Sequence, residues 1–136
     1  MKSISVLIAD NHQRARRTLA KVLGSDKRLR IIGEAANGEE AIAKAHDLHP
    51  DVILMDVNMP KMDGLQSIRH LKDHYPETKV IVLSASNEKS LINEAIQLGA
   101  NAYLLKEYGI EDIVQTISSE FRKIPSAKQS ASKSTH

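Results

Sequence analysis

The sequence alternates five times between a short apolar run and a segment whose apolar residues recur at the spacing of one helix face. The apolar runs cover residues 4–9, 29–32 with 34–35, 52–55, 80–83 and 102–105. The helical faces are, in order, Ala15, Leu19, Val22 and Leu23; Ala41, Ile42 and Ala45; Leu65, Ile68 and Leu71; Leu91, Ala95 and Leu98; and Ile110, Ile113, Val114 and Ile117. Because the connections are short, this alternation predicts an α/β domain in which a parallel sheet carries helices on both faces.

The length and composition of the chain agree with one globular domain. Its 136 residues suffice for a real core, and 41% hydrophobic and 26% charged residues are ordinary proportions. The absence of cysteine excludes a disulfide framework and a cysteine-based zinc site. No apolar stretch approaches the roughly 18 residues that a membrane span needs, and the N-terminus shows no secretory cleavage pattern. We therefore expect a cytoplasmic protein with no membrane partner.

The net positive charge of the chain comes from its C-terminal segment. Residues 122–136 contain four of the 19 basic residues and no acidic residue, so the preceding part holds 15 bases against 17 acids. From residue 126 on, the segment is mostly Ser, Lys, Ala and Thr, which predicts a flexible linker or tail. A nucleic-acid-binding protein would need a basic patch on its folded part. We therefore expect no direct nucleic-acid binding by this chain.

A single carboxylate, Asp56, ends the apolar run 52–55 and is followed closely by the turn residues Pro60, Asp63 and Gly64. Strands that are buried on both faces read as such runs, and open α/β sheets bind their ligands at the carboxyl ends of the strands. The sequence therefore predicts that Asp56 lies at the rim of the core, where a ligand would bind.

Polar side chains stand at the ends of four predicted strands: Asp10, Asp56, Ser84 and Lys106. Parallel strands share one direction, so these residues are predicted to meet at one edge of the sheet. Two neighbouring carboxylates repel unless a cation lies between them, and hard oxygen ligands suit Mg²⁺. An ammonium group and a hydroxyl suit phosphoryl oxygens, and a carboxylate can itself be the nucleophile. The set predicts phosphoryl transfer, which needs mostly positioning and charge neutralisation.

Four segments carry a resemblance to a known family: VLIAD at 6–10, PDVILMDVNMPKMDG at 50–64, VIVLSA at 80–85 and GANAYLLK at 99–106. In this order and spacing they resemble the receiver domain of two-component response regulators, and the second segment is highly specific. The resemblance covers residues 4 to about 121. Glu107 follows Lys106 where many receivers have proline, which is most similar to the subclass that carries a helix-turn-helix output domain.

The resemblance implies a flavodoxin-like fold, with a five-stranded parallel sheet in the order 2-1-3-4-5 and five helices. The receiver domain would cover residues 1–124, and residues 125–136 would be a flexible linker or tail. Further implications are a histidine kinase as partner, a DNA-binding output domain missing from this chain, and a possible homodimer. Such a protein is not an enzyme beyond catalysing its own phosphorylation and dephosphorylation.

The resemblance also implies the chemistry at the sheet edge. Asp56 would accept a phosphoryl group from the histidine kinase, while Lys106 and Ser84 would hold the phosphoryl oxygens as the other catalytic residues. Mg²⁺ would sit between Asp10, Asp56 and the backbone carbonyl of Asn58.

Two further pairs of residues receive roles from the resemblance. Ser84 and Tyr103 would form the switch, with Ser84 moving toward the new phosphate and Tyr103 rotating inward behind it. Asn58 and Ser86 occupy positions that tune hydrolysis in the family.

One position departs from the family pattern. Receivers usually carry two adjacent acids after the first strand, and this chain has Asp10 followed by Asn11. Asn11 offers only a neutral carbonyl oxygen, and the loss of a charged ligand should weaken a Mg²⁺ site. Our hypothesis is weaker metal binding and slower phosphorylation, and an unchanged Mg²⁺ titration in Asn11→Asp would contradict it.

Two other functions remain open at this point. A degenerate receiver could act as an interaction module without phosphorylation, and Asn11 is the residue that supports this alternative. A doubly wound enzyme, such as a flavin carrier or a small phosphatase, is a third possibility. It is disfavoured because no Gly-rich or Ser/Thr-rich phosphate loop follows the first strand, where the sequence reads DNHQR at 10–14.

Simpler structural roles also compete at individual residues. Asp10 and Asn11 could cap the first helix, since Asx residues are favoured N-caps. Ser84 and Lys106 could be an ordinary strand-end hydroxyl and a surface lysine, and Tyr103 could pack in the core or at the sheet edge. The six histidines show no ligand spacing on one face, and His12 is expected to be a surface residue of the first helical turn.

Overall fold

The computed structural model describes residues 3–57 and 64–123. Its strands and helices alternate without exception: β1 (Ile4–Ala9), α1 (Gln13–Gly24), β2 (Leu29–Ala35), α2 (Gly38–Leu48), β3 (Val52–Met55), α3 (Gly64–His74), β4 (Lys79–Ser84), α4 (Lys89–Gln97), β5 (Ala102–Leu105) and α5 (Ile110–Arg122). The predicted C-terminal tail, residues 125–136, lies outside the described residues, as does Asn58.

All four strand pairings are parallel, and the sheet order is β2-β1-β3-β4-β5. The predicted flavodoxin-like topology is therefore confirmed. The order reverses direction between β1 and β3, and the chain leaves these two neighbouring strands toward opposite faces of the sheet, to α1 and to α3. This reversal opens a crevice at their carboxyl ends, which is where open α/β sheets bind ligands.

The central strands are buried on both faces, and each face has its own core. One core joins alternate strand residues to α2, α3 and α4, through Ala41, Ala45, Ile68, Leu71 and Ala95 among others. The other joins the remaining strand residues to α1 and α5, through Leu23, Ile113, Val114 and Ile117. The two cores explain the continuous apolar runs in β1, β3 and β4, because both faces of each strand pack against helices.

In α5 the predicted face is buried at Ile113, Val114 and Ile117, whereas Ile110 is 39% exposed, and α1 differs more. Ala15 and Val22 are exposed, and Leu23 is the one buried residue among those of α1. A step of four residues turns a helix by about 40° beyond a full turn, so Ala15 stands about 80° from Leu23. The stripe that packs on the sheet is therefore narrower than the sequence spacing indicated. None of the helices in the described ranges combines the length and apolarity that a membrane span requires.

Candidate functional site

The three charged residues of the site follow directly after β1, β3 and β5, and sheet-type hydrogen bonds fix their backbone. The backbone N–H of Asp56 donates to the carbonyl of Ala9 at 3.0 Å, which ties it to the end of β1. Lys106 N–H donates in the same way to the carbonyl of Ser84 at 2.7 Å. Asp10, Asp56 and Lys106 thus meet at the same edge of the sheet, as the sequence predicted.

Lys106 contacts both carboxylates. Its Nζ lies 3.1 Å from Oδ2 of Asp56 and 3.5 Å from Oδ2 of Asp10. Burial by itself would lower the pKa of Lys106, but the hydrogen bond and the charge of Asp56, helped by Asp10, outweigh it and raise the pKa above its ordinary value. The lysine therefore stays charged at neutral pH and offsets part of the negative charge of the pair.

The two carboxylates are almost fully buried: Asp10 is 5% exposed and Asp56 is 3% exposed. One ammonium group offsets only one of two like charges, so the pair still favours a cation. The side-chain oxygen Oδ1 of Asn11, the next residue after Asp10, is buried and accepts no hydrogen bond, so it is unused by the protein. The donor set of Asp10, Asp56 and Asn11 fits a divalent cation that prefers oxygen ligands.

Asp10 is held by further contacts on the α1 side. Its Oδ1 accepts the backbone N–H of His12 at 2.9 Å and lies 3.3 Å from Nδ1 of the same histidine. Its backbone carbonyl accepts a hydrogen bond of 2.7 Å from Nη1 of Arg16, whose Nε donates to Glu34 at 2.9 Å. The β1–α1 connection is thus anchored from both α1 and β2.

His12 follows the acidic site in sequence and was expected to be a surface residue of the first helical turn. Its side chain is 68% exposed, as expected, but its ring lies against Asp10. Together Asp10, His12 and Asp56 offer ligand atoms that lie within 4.8 Å of one another. The two-residue spacing of Asp10 and His12, at the end of a buried strand, was the one sequence signal that pointed to this contact.

Neither Asp10 nor Asn11 caps α1. The N-cap of α1 is His12, whose side chain makes no capping hydrogen bond. Asn11 Oδ1 accepts no hydrogen bond, and Asp10 accepts the N–H of the N-cap residue itself. Asp10 therefore forms a turn ahead of the helix, and its Oδ2 remains directed at Lys106.

Ser84 and Tyr103 meet at the backbone of Ser86, in the connection after β4. Ser84 is fully buried, and its Oγ accepts the N–H of Ser86 at 3.1 Å. The hydroxyl of half-buried Tyr103 donates to the carbonyl of Ser86 at 2.7 Å. One peptide segment thus links the buried hydroxyl next to the site with an aromatic residue of β5.

The comparisons with known proteins agree with this geometry. Residues 6–118 match the family model described as response regulator receiver domain. The chain belongs to this family. It is 41% identical over 117 residues to the transcriptional regulatory protein YdfI of Bacillus subtilis (strain 168), which covers 86% of this chain and 54% of YdfI. The chain spans about half the length of the curated relatives that it matches.

Two solved structures extend the comparison. The signal receiver domain of NarL from Mycobacterium tuberculosis superposes with a TM-score of 0.86 at 28% identity, over 91% of this chain and all of that one. A chain of the CheX-CheY-BeF3-Mg complex from Borrelia burgdorferi gives a TM-score of 0.81 at 28% identity, over 88% of this chain and 90% of that one. Relatives also include a DNA-binding regulator of the LuxR family, which confirms the predicted resemblance to regulators with a DNA-binding output domain.

Proposed function

We propose that this receiver domain is a signalling switch in which Asp56 accepts a phosphoryl group from a histidine kinase. The observation that carries the proposal is the contact of Lys106 with two buried carboxylates at the carboxyl edge of the sheet, 3.1 Å from Asp56 and 3.5 Å from Asp10. Burial keeps the carboxylates from being fully solvated, and the lysine supplies a fixed positive charge beside the nucleophile.

The proposed transfer uses a carboxylate oxygen of Asp56 as the nucleophile. A P–O bond forms between this oxygen and the phosphorus of a phosphohistidine, the P–N bond breaks, and the imidazole leaves with the electron pair. Lys106 stabilises charge on the phosphoryl oxygens. The hydroxyl of Ser84 accepts the Ser86 N–H, so its own proton is available to donate to another phosphoryl oxygen.

Mg²⁺ is the cation that we propose for the site. Asp10 and Asp56 would hold it, with the backbone carbonyl of Asn58 and, more weakly, Asn11. When bound, the cation supplies positive charge that offsets the negative charge of the phosphoryl group. Support comes from the unpartnered Asn11 oxygen and from the Borrelia burgdorferi relative, whose complex is named with both BeF3 and Mg.

Phosphorylation would be read out through Ser84 and Tyr103. Both contact the backbone of Ser86, one at its N–H and the other at its carbonyl, so a shift of Ser84 toward a phosphoryl oxygen would pull on the segment that Tyr103 holds. Ser86, together with Asn58, would tune the rate of hydrolysis. The wider proposal is a cytoplasmic, transcription-regulating switch, with a receiver at 1–124, a linker from 125, a DNA-binding output domain and possible homodimers.

The test is the intact mass of the protein after incubation with acetyl phosphate, with and without Mg²⁺. We expect a Mg²⁺-dependent gain of one phosphoryl group that is absent in Asp56→Asn. Asp73→Asn, in which an exposed carboxylate of α3 is changed, is the matched control and should gain the group as the unmodified chain does. No gain in a folded protein at any Mg²⁺ concentration would contradict the proposal.

That negative result would favour a second function, a receiver that binds its partner without phosphorylation. The observation on its side is Asn11, which supplies a neutral oxygen where the family usually has an acid. Asn11→Asp separates the two functions. Phosphorylation that is present and becomes faster in Asn11→Asp supports the switch, whereas a chain that stays unphosphorylated even with the acid restored supports the interaction module.

A further inference from the structure

His12 lies at the site, but the sequence indicated no functional role for it and the proposed phosphoryl chemistry does not involve it. Its ring nitrogen Nδ1 lies 3.3 Å from Oδ1 of Asp10. With Asp56 the two residues offer three potential ligand atoms that lie within 4.8 Å of one another. Two ligand atoms on one metal ion stand at most about 4.2 Å apart at bond lengths near 2.1 Å, so a small closure would bring all three onto one ion.

The position of the imidazole is set by the backbone. The N–H of His12 donates to Oδ1 of Asp10 at 2.9 Å, so the side chain starts beside the carboxylate and not on the far side of α1. As the N-cap residue, His12 makes no capping hydrogen bond with its side chain. The ring is 68% exposed, so no packing holds it in another orientation.

The charge of the site favours such a ligand. A hard cation such as Mg²⁺ depends on anionic oxygen ligands, but position 11 supplies a neutral amide and Lys106 lies within 3.5 Å of both carboxylates. An imidazole adds a strong donor without adding charge. Neutral imidazole suits first-row transition metals much better than Mg²⁺.

We infer that His12 is a metal ligand at this site and shifts its preference from Mg²⁺ toward divalent transition metals. The inference rests on the cation site of the proposed function, but it does not require phosphoryl transfer. The class of ligand is a first-row divalent cation that accepts mixed oxygen and nitrogen donors, for which Co²⁺ is a convenient probe.

A pair of histidines outside the site has to be removed before Co²⁺ binding is measured. The rings of His70 and His74, one turn apart on α3, are stacked with their centroids 4.1 Å apart. Such a pair can chelate a transition metal. The experiments therefore use the background His70→Gln/His74→Gln. In that background, dissociation constants for Co²⁺ and for Mg²⁺ are measured by calorimetry, and the visible spectrum of bound Co²⁺ is recorded.

We expect His12→Gln to weaken Co²⁺ binding by about tenfold or more, on the scale that metal sites lose when ligand support is removed, and to change the Co²⁺ spectrum. Mg²⁺ binding should change by less than about twofold, because Mg²⁺ makes little use of imidazole. The matched control is His46→Gln, since His46 is exposed and contacts Tyr75 instead of the site. Co²⁺ affinity that is unchanged in His12→Gln, or equal losses for both metals, would overturn the inference.

Two further variants locate the site and separate the inference from the phosphorylation proposal. Asp56→Asn should weaken the binding of both metals, which would place both at the same carboxylates. Asn11→Asp should strengthen Mg²⁺ binding and so lower the preference for Co²⁺ over Mg²⁺. A His12-dependent Co²⁺ preference in a chain that takes no phosphoryl group would support this inference while the proposed function fails. Phosphorylation of Asp56 with no effect of His12 on either metal would overturn the inference alone.

Discussion

The ammonium group of Lys106 lies 3.1 Å from Oδ2 of Asp56, across 50 residues of sequence. About a third of the lysine side chain is exposed, whereas the side chain of Asp56 is 3% exposed and that of Asp10 is 8% exposed. The two acids thus depend on the lysine for charge compensation more than the lysine depends on them. Removing the lysine should therefore cost more stability than removing one of the acids.

Lys106→Met should lower the free energy of unfolding by about 1–2 kcal/mol, because it removes the ammonium group that contacts both buried carboxylates. The loss should be smaller than the 3–5 kcal/mol of a fully buried pair, since solvent screens the exposed part of the lysine. Urea unfolding at pH 7.5 without divalent cations measures it. Lys89→Met, on the exposed start of α4, is the control and should change stability by less than about 0.5 kcal/mol.

The sign of this contribution can be tested with pH and with a second variant. The folded pKa of Lys106 is raised above its ordinary 10.5, so its stabilisation is complete below that pH and disappears as pH rises through the folded value. The loss in Lys106→Met should therefore be constant from about pH 7 to 9. Adding Asp10→Asn to Lys106→Met should recover part of the stability, and a double variant less stable than either single one would contradict the charge argument.

Gly64 begins α3 directly against the backbone that carries Asp56. A Cβ atom there would stand 2.5 Å from the Cα of Val57 and 2.7 Å from the carbonyl oxygen of Asp56. Both obstacles are backbone, so Gly64→Ala should displace the end of β3 and cost about 1–3 kcal/mol. Urea unfolding measures the loss, and slower phosphorylation by acetyl phosphate would show that the nucleophile has moved.

Gly24→Ala is the matched control for Gly64→Ala. A Cβ atom at Gly24, the last residue of α1, meets only Cγ1 of Ile31 at an ordinary 3.5 Å. This variant should be neutral or stabilising by up to about 1 kcal/mol, because alanine restricts the unfolded chain more than glycine does. Equal losses in the two variants would mean that the close approach to Asp56 is not the cause.

The hydroxyl of Tyr103 joins β5 to the connection that precedes α4. Its 2.7 Å hydrogen bond to the carbonyl of Ser86 is lost in Tyr103→Phe, which should cost about 0.5–1.5 kcal/mol. Because water can reach half-buried Ser86, the lower part of this range is expected. Hydrogen exchange should become faster in residues 85–92 and remain unchanged in β1. Tyr108→Phe, at a tyrosine that is 44% exposed, should leave exchange unaltered throughout.

The fold followed from the sequence because its signals are local and repeated. Apolar runs that are buried on two faces appear as continuous stretches, so the five strands were located to within a few residues, and β1, β3 and β5 were located to the residue. The convergence of Asp10, Asp56 and Lys106 followed from geometry, since parallel strands end at one edge. The location of a side chain was therefore predictable where it depends only on strand direction.

Contacts that depend on the path of a loop were not predictable in the same way. The approach of His12 to Asp10 depends on the turn between β1 and α1, and hydrophobic periodicity in the sequence does not predict the path of that turn. The shared contact of Ser84 and Tyr103 with Ser86 depends on how the chain leaves β4. Val22 was assigned to the core by its spacing, yet it is 39% exposed, because α1 rests on the sheet through a narrower stripe.

A second lysine, Lys72, lies at the end of the sheet opposite the site. Its pKa is lowered, whereas that of Lys106 is raised. Nζ of Lys72 donates to the carbonyls of Thr78 at 2.7 Å and Pro76 at 3.1 Å, and to Oδ1 of Asn101 at 3.1 Å. All three of its protons are therefore used. Burial, with a smaller contribution from Lys79 and against the charge of Glu120, lowers the pKa of Lys72 to about 8.

This pKa makes stability depend on pH in a defined window. Between about 8 and the ordinary 10.5 the unfolded chain binds more protons at this position than the folded chain, so stability should rise with pH through that window. Below pH 8 the difference is constant. Urea unfolding at pH 7.5, 8.5 and 9.5 should give midpoints that rise relative to those of Lys72→Met, in which other titrating groups are retained. A carbon chemical-shift titration of the lysine side chain reads the same group directly, and a midpoint above pH 10 would show that the three hydrogen bonds outweigh burial.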